Sequence, residues 1–259
     1  MKKYILISSI SGLCVLISFK IIKYKKNKEI KPNAISFSHT GGHFSYQLGI
    51  AKYLQQKFKL DNFKYAGVSG GSQCALCLAL NISVDYYFHN FVLKTFDSKY
   101  NCKYHELQYI SKKNIKFISK KYNLKLLDNK LYIGTTKIYP YWHSITFNKW
   151  GGDFDNLFSC ICATQYIPFI FGNIFFTIHN QKYIDGAFTN LYYKPTKDKW
   201  LHIDLWNFKE GNLFDRCFLD IINLINLFDK NFHINQYENG YKDAYKYHNY
   251  FLDNGLIEK

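Results

Sequence analysis

Arginine is almost missing from this chain: Arg216 is the only one among 259 residues. The 34 basic residues are otherwise lysine, and against 19 acidic ones they leave a formal net charge of +15. No arginine cluster and no nucleic-acid-binding motif accompanies that charge. It therefore points to an acidic membrane surface or to plain solvation, and away from nucleic acid. Asparagine, isoleucine, tyrosine and phenylalanine are abundant beside the lysine, the mixture that AT-rich coding produces. Proline is scarce, and a content of 47% hydrophobic and 20% charged residues is that of a globular chain. No aspartate-rich run of the calcium-loop kind is present, so no metal is expected. The Walker lysine and the spaced three-glycine fingerprint are also missing, which argues against nucleotide binding, and no cofactor is expected. The cysteines number seven, an odd count, and Cys74-x-x-Cys77 has no second ligand pair nearby. Spaced i, i+3 on an apolar helix, Cys74 and Cys77 read as reduced core thiols of a cytosolic domain.

The N-terminus carries a membrane signal. Lys2 and Lys3 precede an uncharged run from Tyr4 to Phe19, and Ile21 and Ile22 extend it past Lys20, which can snorkel to the headgroups. Lys20, Lys23, Lys25, Lys26 and Lys28 follow with no small-residue cleavage site before them. That pattern favours an uncleaved single-pass anchor over a cleaved signal peptide or a helix lying on the domain. The lysine excess after the run places the main domain in the cytoplasm. We expect residues 1–28 to be the anchor with its basic flank, 29–33 a linker, 34–198 the main domain, and 199–259 a C-terminal strand and helices completing it. The length suits a single α/β domain.

The stretch around which the rest is organised is Gly67-Val68-Ser69-Gly70-Gly71. Tyr65–Val68 reads as a short buried strand and Ser72–Leu80 as an apolar helix. Between them lies Gly-x-Ser-x-Gly, the pattern of a nucleophile elbow: a strained strand-to-helix turn that lifts the Ser69 hydroxyl to a helix N-terminus. A second strand–glycine–helix unit precedes it, with Ala34–Ser38 as strand, His39–His43 as turn and Phe44–Phe58 as helix. In a parallel sheet the two turns lie side by side at the carboxyl ends of their strands. The N–H groups of Gly41 and Gly42, with Gly70, then become candidates for an oxyanion hole facing Ser69.

The segment Ser36-Phe37-Ser38-His39-Thr40-Gly41-Gly42-His43-Phe44-Ser45-Tyr46-Gln47-Leu48-Gly49, followed by the elbow, resembles the opening of a patatin-like phospholipase domain, with the adiponutrin-type members closest. The resemblance continues in Ala163-Thr164-Gln165-Tyr166-Ile167-Pro168-Phe169. It ends in Tyr183-Ile184-Asp185-Gly186-Ala187 with Asn190 shortly after, so that it spans roughly residues 34–195. It implies a single three-layer α/β/α domain with a mainly parallel sheet. It also implies a serine–aspartate dyad, with Ser69 as nucleophile and Asp185 as proton acceptor, hydrolysing acyl esters of membrane lipids or acylglycerols. The elbow glycines Gly67 and Gly71 and the pair Gly186 and Ala187 complete the motifs. His39 and Thr40 stand where the family carries glycine, a departure that bears on the oxyanion turn.

Elsewhere the residues say less. Asn81–Phe96 and Cys102–Tyr122 read as helices, the second with a basic face of Lys112, Lys113, Lys116, Lys120 and Lys121 that reads as solvated. Leu131–Thr136 and Trp200–Trp206 read as strands, and Leu213–Phe228 and Gln236–Leu252 as helices. Trp142, Phe147 and Trp150 are candidates to line a lipid path, against core packing as the ordinary role of aromatics. The leading expectation is a membrane-associated lipid acyl hydrolase. A Ser-Asp-His triad using His202, His233 or His248 stays open by chain order. So does a lipid-binding or scaffolding protein with a decayed site.

Overall fold

The computed structural model describes residues 32–96, 104–170, 173–190, 192–208 and 226–259. Four short segments form its parallel block: β1 (Ala34–Phe37), β2 (Lys64–Val68), β3 (Leu131–Lys137) and, from far along the chain, β7 (Trp200–Ile203). They are buried almost throughout. Covered on both faces, such strands read as near-continuous apolar runs rather than alternating ones. They pair in parallel in the order β3-β2-β1-β7. Three antiparallel strands, β4 (His143–Phe147), β5 (Phe176–Ile178) and β6 (Gln181–Ile184), complete a mixed, mostly parallel seven-stranded sheet. The chain is of the α/β class.

The register of β3 positions the site. Ile133 and Gly134 pair with both β2 and β4, so those two strands lie on opposite edges of β3. Thr136 and Lys137 pair with both β4 and β6. Strand β6 therefore shares the edge that β2 occupies and lies just beyond the carboxyl end of β2. Whatever follows β6 in sequence is delivered to the turn that follows β2.

The helices α1 (Phe44–Lys57) and α2 (Gly71–Ala79) run from the turns after β1 and β2. α1 packs against α7 (Lys230–Lys246), whose N-terminus is capped by the Asp229 carboxylate accepting from Asn231 and Phe232 N–H. The two cross at a pair of glycines. A Cβ on Gly240 would stand 1.9 Å from the Tyr46 carbonyl oxygen, and one on Gly49 would stand 2.1 Å from that of Tyr237. Polar bonds flank the crossing: Tyr46 Oη donates to Asp243 (2.7 Å), and the Ser45 hydroxyl meets His233 Nδ1 (2.8 Å).

Several sequence expectations change in detail. Asn81–Phe96 is helical without a break from Val84 to Thr95, as α3 (Val84–Tyr87) and α4 (Leu93–Thr95) joined through a π turn, Phe88–Val92. Trp200–Trp206 ends as a strand at Ile203 and turns into a 3-10 segment, Leu205–Asn207. Gln236–Leu252 is two helices: α7 starts earlier, at its Asp229 cap, and breaks at Tyr247 before α8 (His248–Asp253). α5 (Tyr104–Lys121) stands within the predicted Cys102–Tyr122, and Lys112, Lys113, Lys116, Lys120 and Lys121 are all exposed on it. α6 (Phe154–Thr164), capped by Asp153, leads into the site. The predicted anchor and most of the linker lie outside the described residues, as does nearly all of Leu213–Phe228. Among the described residues, no helix is long and apolar enough to cross a membrane. Cys74, Cys77, Cys160 and Cys162 are buried free thiols, their ionisation pushed up by burial.

Candidate active site

Ser69 sits in the turn between β2 and α2 with φ +52°, the left-handed region that a non-glycine residue enters at a cost. Its backbone is held from both ends. The Ser69 N–H donates to Thr164 Oγ1 (2.9 Å), and the Thr164 hydroxyl donates in turn to the Gly134 carbonyl. The Ser69 carbonyl accepts from Ser72 Oγ (2.6 Å) and Gln165 Nε2 (3.3 Å). Residues at the end of α6 thus fix the strained turn. The missing side chains matter as much. A Cβ on Gly67 would meet the Gly71 carbonyl oxygen at 2.5 Å, and one on Gly71 would meet that of Ser38 at 2.4 Å. Only glycine lets the elbow close on itself and on the end of β1.

Asp185 leaves β6 and caps the 3-10 turn Gly186–Phe188, accepting the Ala187 N–H on Oδ1 (2.8 Å). Its other oxygen, Oδ2, accepts the Ser69 hydroxyl at 2.6 Å. Three further bonds hold the segment. Asp185 N–H donates to the Tyr166 carbonyl (2.8 Å), its own carbonyl accepts from Thr136 Oγ1 (2.9 Å), and Asn190 Nδ2 donates to the Gly186 carbonyl (3.0 Å). Gly186 must be glycine because a Cβ would stand 2.3 Å from the Gly134 carbonyl oxygen. Asp185 is buried, and desolvation pushes its carboxyl up to about 7, against the opposing pull of the Ser69 and Ala187 hydrogen bonds. A carboxylate of that basicity at 2.6 Å from a hydroxyl is placed to take its proton near neutral pH.

The first glycine turn lies against the elbow. Gly41 (φ +52°) and Gly42 open the 3-10 turn Gly41–His43, and Gly70 is the N-cap of α2. N–H groups at helix starts have no partner within the helix, which leaves them for an anion. A Cβ on Gly70 would fall 2.1 Å from Thr40 Oγ1 and 2.9 Å from Phe44 Cβ, so the Thr40 side chain fills the space over Gly70. Thr40 is buried there, while His39 feels the charge of Asp204, just past the end of β7, and has a pKa lowered by burial.

The three histidines that chain order left open lie elsewhere. His202 Nδ1 meets Ser36 Oγ (2.7 Å), and among the described residues its Nε2 has no hydrogen-bond partner. His233 is bound between Ser45 and the Leu227 carbonyl, and His248 between Tyr53 and Glu258. None is bonded to Ser69 or Asp185. Of the aromatics considered for a lipid path, Trp150 is buried with its Nε1 donating to Leu131 O, and Phe147 packs on Tyr183. Trp142 is exposed. Sequence reasoning quoted Thr164, Gln165 and Asn190 within motifs without giving them a role, and it missed Ser72 and Thr136. Alternating side-chain direction along β3 was the one available signal for Thr136. No protein-family model and no curated protein matches this chain.

Proposed function

We propose that this chain is a serine lipid acyl hydrolase with a patatin-like three-layer α/β/α domain, acting on phospholipid or acylglycerol esters at a membrane. The observation that carries the reading is the 2.6 Å hydrogen bond from Ser69 Oγ to a buried Asp185 carboxylate whose basicity is raised to near neutrality. As Ser69 Oγ attacks the ester carbonyl carbon, Asp185 Oδ2 takes the hydroxyl proton. The carbonyl oxygen becomes an oxyanion and is stabilised by the N–H groups of Gly41, Gly42 and Gly70. Collapse expels the alcohol, which receives the proton from Asp185, and leaves an acyl-enzyme on Ser69. Water then attacks, giving up its proton to Asp185, and fatty acid leaves as Ser69 regains its hydrogen. An N-terminal anchor with the main domain in the cytoplasm would hold the site beside its substrate.

A dyad rather than a triad is favoured by the hydrogen-bond partners of His202, His233 and His248, each engaged away from Asp185. The test is covalent trapping with a lipid-like fluorophosphonate. The intact chain is expected to gain one adduct, mapped by peptide mass to Ser69. Asp185→Asn is expected to slow the labelling by two orders of magnitude or more, while His202→Gln labels at the parental rate. Labelling elsewhere, or labelling unaffected by Asp185→Asn, would remove the dyad.

A further inference from the structure

Strands β3 and β4 are joined by a hairpin that runs past the carboxyl end of the parallel block, the end at which Ser69 lies. Its tip is Tyr139-Pro140-Tyr141-Trp142, and its rings face water: Tyr139 is 72% exposed, Tyr141 70% and Trp142 56%. Trp142 rests edge-on against Phe188 (centroids 5.4 Å apart), three residues beyond Asp185. Phe169, 62% exposed and at φ +66°, stands three residues after Tyr166, whose carbonyl holds the Asp185 N–H. A fifth exposed ring, Tyr192, stands two residues after Asn190. Exposed rings thus stand on the hairpin tip and just after two of the segments that build the site, the end of α6 and the Asp185 turn.

Their surroundings are cationic. From residue 129 to 152 there is no Asp or Glu, and from 156 to 197 Asp185 alone, which is buried. Of the six lysines in the same two stretches, Lys137, Lys182 and Lys194 lie toward the hairpin and the site, while Lys130, Lys149 and Lys197 lie at the opposite, amino end of the parallel strands. Lys137 closes the base of the hairpin, and Lys194 Nζ lies 4.7 Å over the Tyr192 ring. Tyrosine and tryptophan, apolar at the body and polar at the tip, are the side chains that settle at the headgroup level of a bilayer. Lysine stems around them reach anionic headgroups.

We propose that this rim of aromatics and lysines is a docking surface for an anionic lipid–water interface, with Tyr139, Tyr141 and Trp142 entering the headgroup layer at the mouth of the site. The inference deepens the lipid-hydrolase reading and rests on it for its purpose. Charge complementarity and the Tyr/Trp composition select a lipid surface over a second copy of this equally cationic chain.

The test uses the full chain with vesicles of phosphatidylcholine, alone or mixed in equal parts with phosphatidylserine, carrying brominated acyl chains that quench tryptophan on contact. Whatever residues 1–28 contribute is common to every variant. Trp142→Phe is the reference, so that the difference in quenching reports the tip alone. The expected result is quenching in the parent well above that of Trp142→Phe, and greater with phosphatidylserine. Tyr139→Ser/Tyr141→Ser is expected to cut hydrolysis of the mixed vesicles by about tenfold, the weight of ~1.4 kcal/mol of interfacial binding. Its rate on a soluble short-chain ester should stay within about twofold of the parent. Equal quenching in parent and Trp142→Phe, or an unchanged vesicle rate in the tyrosine variant, would overturn the proposal even if soluble ester is cleaved. Tip quenching without cleavage of any ester would sustain the docking surface and remove the enzyme reading. Quenching that vanishes when the chain self-associates would assign the rim to a second copy and overturn the lipid assignment.

Discussion

Ser69 holds a left-handed backbone that only its neighbours make tenable: φ is +52°, and Thr164, Ser72 and Gln165 bind its N–H and carbonyl. The strain gives a prediction that contact counting would miss. Ser69→Ala and Ser69→Gly lose the same hydroxyl, yet the glycine variant is expected to be the more stable by about 1 kcal/mol in urea unfolding, because glycine carries no left-handed penalty. If alanine matched or exceeded glycine, the turn would not be strained. Thr40 makes a second case. Gly70→Ala drives a methyl into Thr40 Oγ1 and is expected to cost about 1–3 kcal/mol. In a Thr40→Ala background that cost falls, with a coupling on the order of 1 kcal/mol in the double-mutant cycle. Additive effects would mean that Thr40 does not fill the space over Gly70. Gly-x-Ser-x-Gly was legible in the sequence because it marks a backbone that tolerates no Cβ, whereas Asp185-Gly186-Ala187 was singled out only through its resemblance to a family motif, an aspartate beside glycine being by itself an ordinary turn signal. The Thr40–Gly70 contact was not, since it joins residues thirty apart through space alone.

At the scale of elements, the decisive fact is that β6 runs along the edge of β3 beyond the end of β2, carrying Asp185 to Ser69 across 116 residues of sequence. The parallel strands were legible as short apolar runs bounded by turns. β4, β5 and β6 were not, because their half-exposed residues and three- to five-residue lengths resemble ordinary loop. The helix at the C-terminus was legible as aromatic and amphipathic, but its break at Tyr247 was not, and neither was the Gly49–Gly240 crossing with α1. That crossing sets two effects against each other. Alanine at Gly240 would gain about 1 kcal/mol of helix propensity. Its Cβ, however, would stand 1.9 Å from a backbone oxygen on α1, and forcing two packed helices apart costs more than that gain. Gly240→Ala is therefore expected to lower stability by at least about 2 kcal/mol. A neutral or stabilising result in thermal unfolding would show that α1 and α7 do not meet as closely as described.

Over the whole molecule, buried titrating groups pull stability in opposite directions with pH. Asp185 has its folded pKa raised, to about 7, so the unfolded chain ionises first as pH rises through the ordinary carboxylate range, and stability falls between there and about 7. His202 and His233 have theirs lowered, both to about 4 by burial, so stability is lost as pH falls from the ordinary imidazole value toward that range. Asp185→Asn removes only the first contribution. It is expected to raise stability at pH 8 by roughly 2–4 kcal/mol, to have little effect at pH 4, and to steepen the acid-side loss. A variant equally destabilised at both pH values would show that Asp185 is not held in a desolvated site. Activity should carry the same signature, with kcat/KM rising with pH to a plateau above about 7 as Asp185 becomes the acceptor.

The most direct measurement is fatty-acid release by the full chain at pH 8 from mixed phospholipid vesicles and from a triacylglycerol emulsion, with Ser69→Ala and Asp185→Asn beside the parent. The account predicts release by the parent and a fall of about three orders of magnitude or more in both variants, with folding intact by circular dichroism. Equal release from the parent and Ser69→Ala would contradict it, and would leave the 2.6 Å contact as a feature of the turn alone.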